Sequence, residues 1–265
     1  MKKVAPPRAR DLGLPLEGTP GKWNAITDVA GVEVGYCTLN SGDGPLKVGS
    51  GPVYTGVTAI LPRGRQELPR PVWAGLYDLN GNGELTGSHW IEDAGYFISP
   101  ICITNTHSVG MAHHATVGWM LEQHKDYFEQ YHSWAMPVIA ETYDGLLNDI
   151  CGRHIKEEHV LAALDSATTG PVAEGNVGGG AGMQSYEFKG GTGTSSRVVE
   201  VQGTQYTVAA LVQSNFGLRP EFSVCGVPVG QHITENAIIT ESSGHEQGSI
   251  VVIIATDAPL LPAQL

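Results

Sequence analysis

No stretch of this sequence reaches the ~18 consecutive apolar residues of a membrane-spanning helix, so a helical membrane protein is excluded and no membrane partner is expected. The N-terminus, MKKVAPPRARDLG, starts basic but lacks the apolar run of a secretory signal. The cytoplasm is therefore the expected compartment, or the periplasm if a leader has been removed. Positive charge is scarce: 15 Lys and Arg stand against 27 Asp and Glu, a net charge of −12. That balance repels a phosphate backbone, so nucleic acid is not an expected partner. The four cysteines, Cys37, Cys102, Cys151 and Cys225, are scattered without a CxxC pair, which suits free thiols better than a disulfide frame or zinc site.

Several catalytic signatures are missing too. The glycines at 175, 178, 179, 180 and 182 fit neither GxGxxG nor GxxxxGK[ST], so a nucleotide cradle is not indicated. There is no HExxH; His113 and His114 are adjacent and would diverge on a helix, and His154 and His159 also miss a common face. No metal is expected, and the histidines read as surface or hydrogen-bonded groups. GxSxG is absent, which excludes the usual α/β-hydrolase elbow. A cysteine nucleophile stays open, although Cys37, Cys102 and Cys225 sit in apolar, strand-like contexts that favour packing.

Glycine is what the chain has in excess, 35 of 265 residues, nearly twice the usual ~7%. It follows no triplet period, and points to tight turns or to backbone packed against backbone or ligand. Hydrophobic content of 41% with 16% charged residues is that of a globular chain able to bury a core. Short β-branched runs over 24–39, broken by Gly31 and Gly35, read as paired strands. GVTAILP (56–62) reads as a buried strand and ISPICITNT (98–106) as a strand that Pro100 pushes to an edge. A helix is expected within 85–97, capped by Thr86 or Ser88, and a long one over 111–130. PVIAET (137–142) suggests a strand, 155–167 an amphipathic helix, and 197–202, 206–213 and 249–255 three further strands. Mixed helices and apolar strands without repeats or linkers predict one α/β (α+β) layered domain over 1–265. The polar connection over about 231–248 is long enough to be functional or mobile.

The junction GHEQGSIVVIIATDAPL (244–260) carries the most specific chemistry. As bare pattern it is a loop entering a buried strand. Cleavage between Gly248 and Ser249 would instead leave a hydroxyl and a free amine on one residue at the head of a rigid strand. That amine, with an ordinary pKa of ~7.7–8.0, is matched to proton transfer near neutral pH and can activate its own hydroxyl. Gly248 would accept the strained backbone that the first attack needs.

The chain resembles the self-cleaving β-peptidyl aminopeptidases and L-aminopeptidase/D-amidase-esterases. The resemblance rests on RARDLGLPLEGTPG, NAITDVAGVEVG, TGVTAILPR, VIAETYDG, GPVAEGNVGGGAGM, FKGGTGTSSR, TVAALVQSNFG and SIVVIIATDAPLLPAQL. It implies an αββα sandwich similar to N-terminal-nucleophile hydrolases, and cleavage at Gly248–Ser249 into an α portion (1–248) and the start of a β portion (249–265). It further implies Ser249 as nucleophile, Asn215 of VQSNFG as oxyanion-hole donor, Glu141 of AETYDG as binder of the substrate's amino group, and Tyr143 as an active-site tyrosine. Read alone, Glu141 fits an ordinary surface acid and Asn215 a turn residue.

The resemblance implies hydrolysis of small peptides, amides or esters of β-, D- or L-residues, with no cofactor, by a homo-oligomer of αβ units. Two alternatives are an acyltransferase of the ornithine acetyltransferase type, which normally uses Thr, and a non-catalytic binding protein on the same scaffold. Family members continue past the PAQL at Leu265 with further sheet and helix and a supporting Ser and Glu. The expectation for residues 1–265 alone is therefore poor solubility, or pairing with a second copy or a separate β fragment, and weak catalysis.

Overall fold

The computed structural model describes residues 7–235 and 248–265. Much of the polar connection expected over 231–248 lies outside the described residues.

A four-stranded sheet comprises β1 (Glu33–Ser41), β2 (Val53–Leu61), β3 (Ile101–Asn105) and β4 (Val138–Thr142), side by side in that order. β2 runs antiparallel to both β1 and β3, and β4 runs parallel to β3. A second, three-stranded antiparallel sheet comprises β5 (Gly191–Val201), β6 (Thr204–Asn215) and β7 (Ser249–Thr256), with β6 in the centre. The helices α1 (Ser88–Ala94), α2 (Val109–Gln123), α3 (Lys125–Tyr131) and α4 (Glu157–Asp165) complete the regular structure used below.

Strand alternation decides which residues fill which layer. On β2, Val57, Ala59 and Leu61 face α2 and α4, packing with Ala115, Trp119, Met120, Val160 and Leu164. Ile60 on the opposite face joins Ile101 and Ile103 of β3, Val138 and Ala140 of β4, and Ala209 and Leu211 of β6 between the two sheets. Each fully buried aliphatic side chain here contributes ~1.5–3 kcal/mol relative to exposure. The result is a helix–sheet–sheet stack.

Several expectations need correcting. Gly35 does not break a strand: β1 runs straight through it, and the position is glycine because a Cβ there would overlap the Ala163 carbonyl and lie 2.6 Å from the Ala167 amide. Its role is to let α4 sit on β1. The strand at 101–105 is interior rather than at an edge, and Pro100 stands just before the ladder, where its missing N–H costs nothing. Neither Thr86 nor Ser88 caps α1: Gly87 does, with φ of 76°, while the Thr86 hydroxyl donates to the Pro137 carbonyl at 2.7 Å and accepts from the Ile139 amide at 2.9 Å. The long helix is two helices meeting at His124, whose φ of −128° and ψ of 41° leave helical space.

SIVVIIA reads as a strand buried on both faces, but β7 buries only one. Val251, Ile253 and Ala255 turn into the inter-sheet core, while Ile254 is 69% exposed on the other side, with Ile250 and Val252 beside it. Among the described residues β7 pairs only with β6, and no helix of the stack covers this face.

The glycine-dense segment earns its composition from close approach. A 3₁₀ turn, Gly178–Gly182, is wholly buried against β1, β2 and the inner ends of β3 and β5. A Cβ on Gly179 would lie 2.6 Å from the Ile103 carbonyl, and one on Gly180 would lie 2.6 Å from the Thr192 amide. The segment's own amides are met by hydroxyls: Gly178 N donates to Thr38 Oγ1 at 2.8 Å and Gly179 N to Thr58 Oγ1 at 3.1 Å.

Gly35→Ala tests the packing of α4 on β1. Because both clashing atoms are backbone, the substitution should destabilise the fold by ~1–3 kcal/mol, read from the urea midpoint. An unchanged midpoint would show that the helix can shift without cost.

Candidate active site

The ends of three strands meet at one place. β6 finishes at Asn215 and β7 begins at Ser249, and the antiparallel register sets these two residues opposite each other. From the other sheet, β4 ends at Thr142 and delivers Glu141 and Tyr143 on either side of it. Gln213, fully buried two residues before Asn215, donates from Nε2 to Thr142 Oγ1 at 2.6 Å and so ties the two sheets together beneath the site.

Half-buried Ser249 presents its Oγ to two donors, Asn215 Nδ2 at 3.1 Å and the Tyr143 amide at 3.3 Å. The Asn215 amide has one sensible orientation. Its Oδ1 accepts from the Gln184 amide at 3.0 Å, and its Nδ2 also donates to the Tyr143 carbonyl at 2.8 Å. A flipped amide would face a donor with a donor and an acceptor with an acceptor. Asn215 is thus a locked donor, standing at the last paired position of a strand and not in a turn.

Tyr143 reaches Ser249 through its backbone. Its ring is 48% exposed and folds back over Gly145, where a Cβ would meet the ring carbon Cε1 at 2.8 Å. Glu141 is half-buried and already engaged on both oxygens: Oε1 accepts from the Glu84 amide at 3.2 Å, and Oε2 accepts from the Thr106 hydroxyl. That is not the setting of a free surface acid. Gly248 is exposed, and a Cβ on it would lie 2.8 Å from Phe216 Cβ, so the residue before Ser249 is sterically restricted.

Sequence reasoning brought Ser249, Asn215, Tyr143 and Glu141 into view, and the structure gathers Ser249, Asn215 and Tyr143 into one hydrogen-bonded set. It missed Thr106, Gln184, Gln213 and the main-chain amide of Glu84. Nothing in their residue types marks them; they matter through the strand ends and turns on which they stand.

The competing candidates have other occupations. Cys102 is fully buried, and burial pushes its thiol up to about 12; burial also raises the Cys37 thiol. Cys225 is exposed in a turn with φ of 49°, which corrects the strand-like reading, and Cys151 is exposed as well. His154 Nε2 sits 2.9 Å from Asp149 Oδ2, a bond that holds that carboxyl below its ordinary range. The His159 ring accepts from the Lys156 amide at 3.0 Å at the start of α4. Among the described residues no cluster of His, Cys, Asp and Glu is arranged to hold a metal ion, and no helix is long and apolar enough to cross a membrane.

Residues 24–265 match the sequence profile of peptidase family S58. The chain is 56% identical over 270 residues to β-peptidyl aminopeptidase BapA of Sphingosinicella microcystinivorans, spanning 98% of this chain and 67% of that protein. It is 49% identical over 271 residues to BapA of Sphingosinicella xenopeptidilytica, spanning 99% and 67%. Among solved structures, the L-aminopeptidase D-Ala-esterase/amidase of Ochrobactrum anthropi superposes with a TM-score of 0.89 at 53% identity, over 98% of this chain and 70% of that one. That enzyme is described as a prototype of the serine aminopeptidases with a variant of the Ntn hydrolase fold.

Asn215→Ala tests the lock. It would leave the Gln184 amide and the Tyr143 carbonyl without partners, and should lower the unfolding free energy by ~1–3 kcal/mol in urea titration. Unchanged stability would mean that solvent satisfies both groups.

Proposed function

Because the chain belongs to peptidase family S58 and is a serine aminopeptidase of the N-terminal-nucleophile type, we propose that Ser249 is its nucleophile, released by cleavage of the Gly248–Ser249 bond. The observation that carries this reading is the pair of donors, Asn215 Nδ2 and the Tyr143 amide, converging on Ser249 Oγ. On this reading residues 1–248 form the α portion and 249–265 begin the β portion.

In the proposed reaction the free amine of Ser249 takes the proton of its own hydroxyl as Oγ attacks the substrate carbonyl. The new C–O bond drives the carbonyl electrons onto oxygen. That oxyanion forms on the carbon bonded to Oγ, next to the two donors that hold the resting hydroxyl. Losing one such donor typically costs ~10²–10³ in turnover. Collapse expels the amine or alcohol of the leaving group, which collects the proton. Water then attacks the acyl-enzyme as the Ser249 amine accepts its proton; collapse breaks the C–Oγ bond, the amine returns that proton to Oγ, and the acid departs. Every proton is carried by Ser249 itself.

Glu141 would supply the exopeptidase limit. Its carboxylate, aligned by Thr106 and the Glu84 amide, pairs with the substrate's terminal ammonium. Substrates on this reading are short peptides, amides or esters with a free N-terminal β-, D- or L-residue, the classes for which the relatives are named. The assembly proposed is a homo-oligomer of αβ units. Family membership favours hydrolysis over acyl transfer and over a non-catalytic binding role.

The full-length protein should run as two fragments divided before Ser249, and Ser249→Ala should remain whole and inactive; denaturing gels with intact mass read both. An uncut wild type with full peptidase activity would separate processing from catalysis. Glu141→Gln should cut kcat/KM for free-amine substrates by ~1.5–3 kcal/mol, about 10- to 150-fold, through loss of a charge-assisted bond. N-acetylated analogues should be poor substrates for both proteins. Equal hydrolysis of free and acetylated substrates by the wild type would remove Glu141 from substrate recognition.

A further inference from the structure

Asp144 follows Tyr143 directly and is only 1% exposed. Its Oδ1 accepts from Asn148 Nδ2 at 2.9 Å, while Oδ2 is buried without a well-aligned hydrogen-bond partner. Thr55 on β2, Asn105 at the end of β3, Asn148 and the Asp144 backbone amide all face the carboxyl and favour its charged form. None of these groups ionises. Gly182 of the glycine turn packs on its Cβ side, where an added Cβ would come within 2.8 Å. The neighbouring acids are engaged elsewhere: Asp149 holds His154 and the amides of Gly49 and Gly152, and Glu141 holds Thr106 and the Glu84 amide.

The surroundings also anchor the turn that carries Tyr143. Asn148 Oδ1 accepts from the Tyr54 amide at 3.1 Å, and the amides of Leu147 and Asn148 return to the Asp144 carbonyl at 3.1 and 3.0 Å. Asn105 Nδ2 donates to Thr55 Oγ1 at 2.8 Å, closing the ring of polar groups around the carboxyl. The peptide between Tyr143 and Asp144 is consequently held from both ends. Its N–H lies toward the Asp144 carboxyl, and its C=O accepts Asn215 Nδ2, the group that also meets Ser249 Oγ.

We propose that Asp144 is a positioning residue for the reaction: its buried carboxylate fixes the Tyr143–Asp144 peptide, and through it the donors of Tyr143 and Asn215 that face Ser249. The proposal rests on Ser249 being the nucleophile. A carboxylate in this position is otherwise a liability. Burial pushes Asp144 up to about 6, against the opposing effect of Thr55, Asn148, Asn105 and its own amide. A raised carboxyl binds its proton more tightly in the folded than in the unfolded chain. Its effect on stability is therefore most favourable below the unfolded value near 4 and is lost as pH rises through about 6. At neutral pH the fold carries the cost of a buried charge, which is expected of a group kept for what it does at a site.

The test is the pH profile of turnover on a free-amine amide. With the wild type, log kcat should fall with a slope of one as the Ser249 amine protonates, and steepen above one, toward two, around and just below pH 6 as Asp144 takes its proton. Asp144→Asn should reduce kcat by ~10- to 100-fold at pH 8, change KM less than threefold, and abolish the steepening. Thr55→Val, which removes a hydroxyl that favours the charged form, should move the steepening to higher pH and so tests the idea even if Asp144→Asn folds poorly. Wild-type kcat in Asp144→Asn, or a steepening that persists there or stays in place in Thr55→Val, would overturn the proposal. A missing first limb with the Asp144 effects intact would instead count against the amine as base.

Discussion

The antiparallel register that puts Asn215 opposite Ser249 is the constraint on which the site depends. A strand pair has a side-chain period of two, so a slip by one residue would turn Val251 and Ile253 outward and carry Ser249 away from the Asn215 amide together. The apolar face of β7 therefore guards the position of the serine. Hydrophobic burial, which has no directional chemistry of its own, selects the register; the register then places an oxygen within hydrogen-bond distance of two donors.

The second sheet alone would give only half of the arrangement. Glu141 lies on β4 and Tyr143 just past its end, and the spacing between the sheets decides whether the Tyr143 amide reaches Ser249. Two features set that spacing close to the site: the Gln213–Thr142 hydrogen bond and the glycine turn at 178–182 wedged between β1, β2 and the start of β5. One is polar and specific, the other steric. Their combination lets main-chain groups, such as the Tyr143 and Glu84 amides, act at the site with side-chain accuracy.

Much of this was legible in the sequence, unevenly and for physical reasons. The strands at 53–61, 138–142 and 204–215 announce themselves because burial in a layered core demands apolar alternation or runs. The two-helix break at His124 was hidden, since its residues suit a continuous helix and only the tertiary path interrupts it. Gly35 misled because a glycine in a strand reads as a break until the helix packed against it is known. Ser249, Asn215 and Glu141 were visible through ordered motifs of a family, whereas their isolated residue types were ambiguous. Thr106 and Gln184 carried no such mark, and Asp144, although inside the same VIAETYDG motif as Glu141, had no role to read from it; a buried hydroxyl or carboxyl becomes informative only when its partners are in place. The outward face of β7 shows the limit of pattern reading most plainly, because a run of Ile and Val says that a strand is apolar without saying how many of its faces are covered.

The glycine turn between the sheets has a consequence for how such a chain can change over generations. Where side chains fill an interior, neighbouring substitutions can trade volume with one another and sequences drift while the core persists. Here backbone fills the gap, with Ile103, Thr192 and Tyr54 main-chain atoms pressed against residues 178–182, and there is no volume to trade. A side chain added at 179, 180 or 182 would press on main chain that cannot rotate out of the way, so a change there has to move a strand rather than a rotamer.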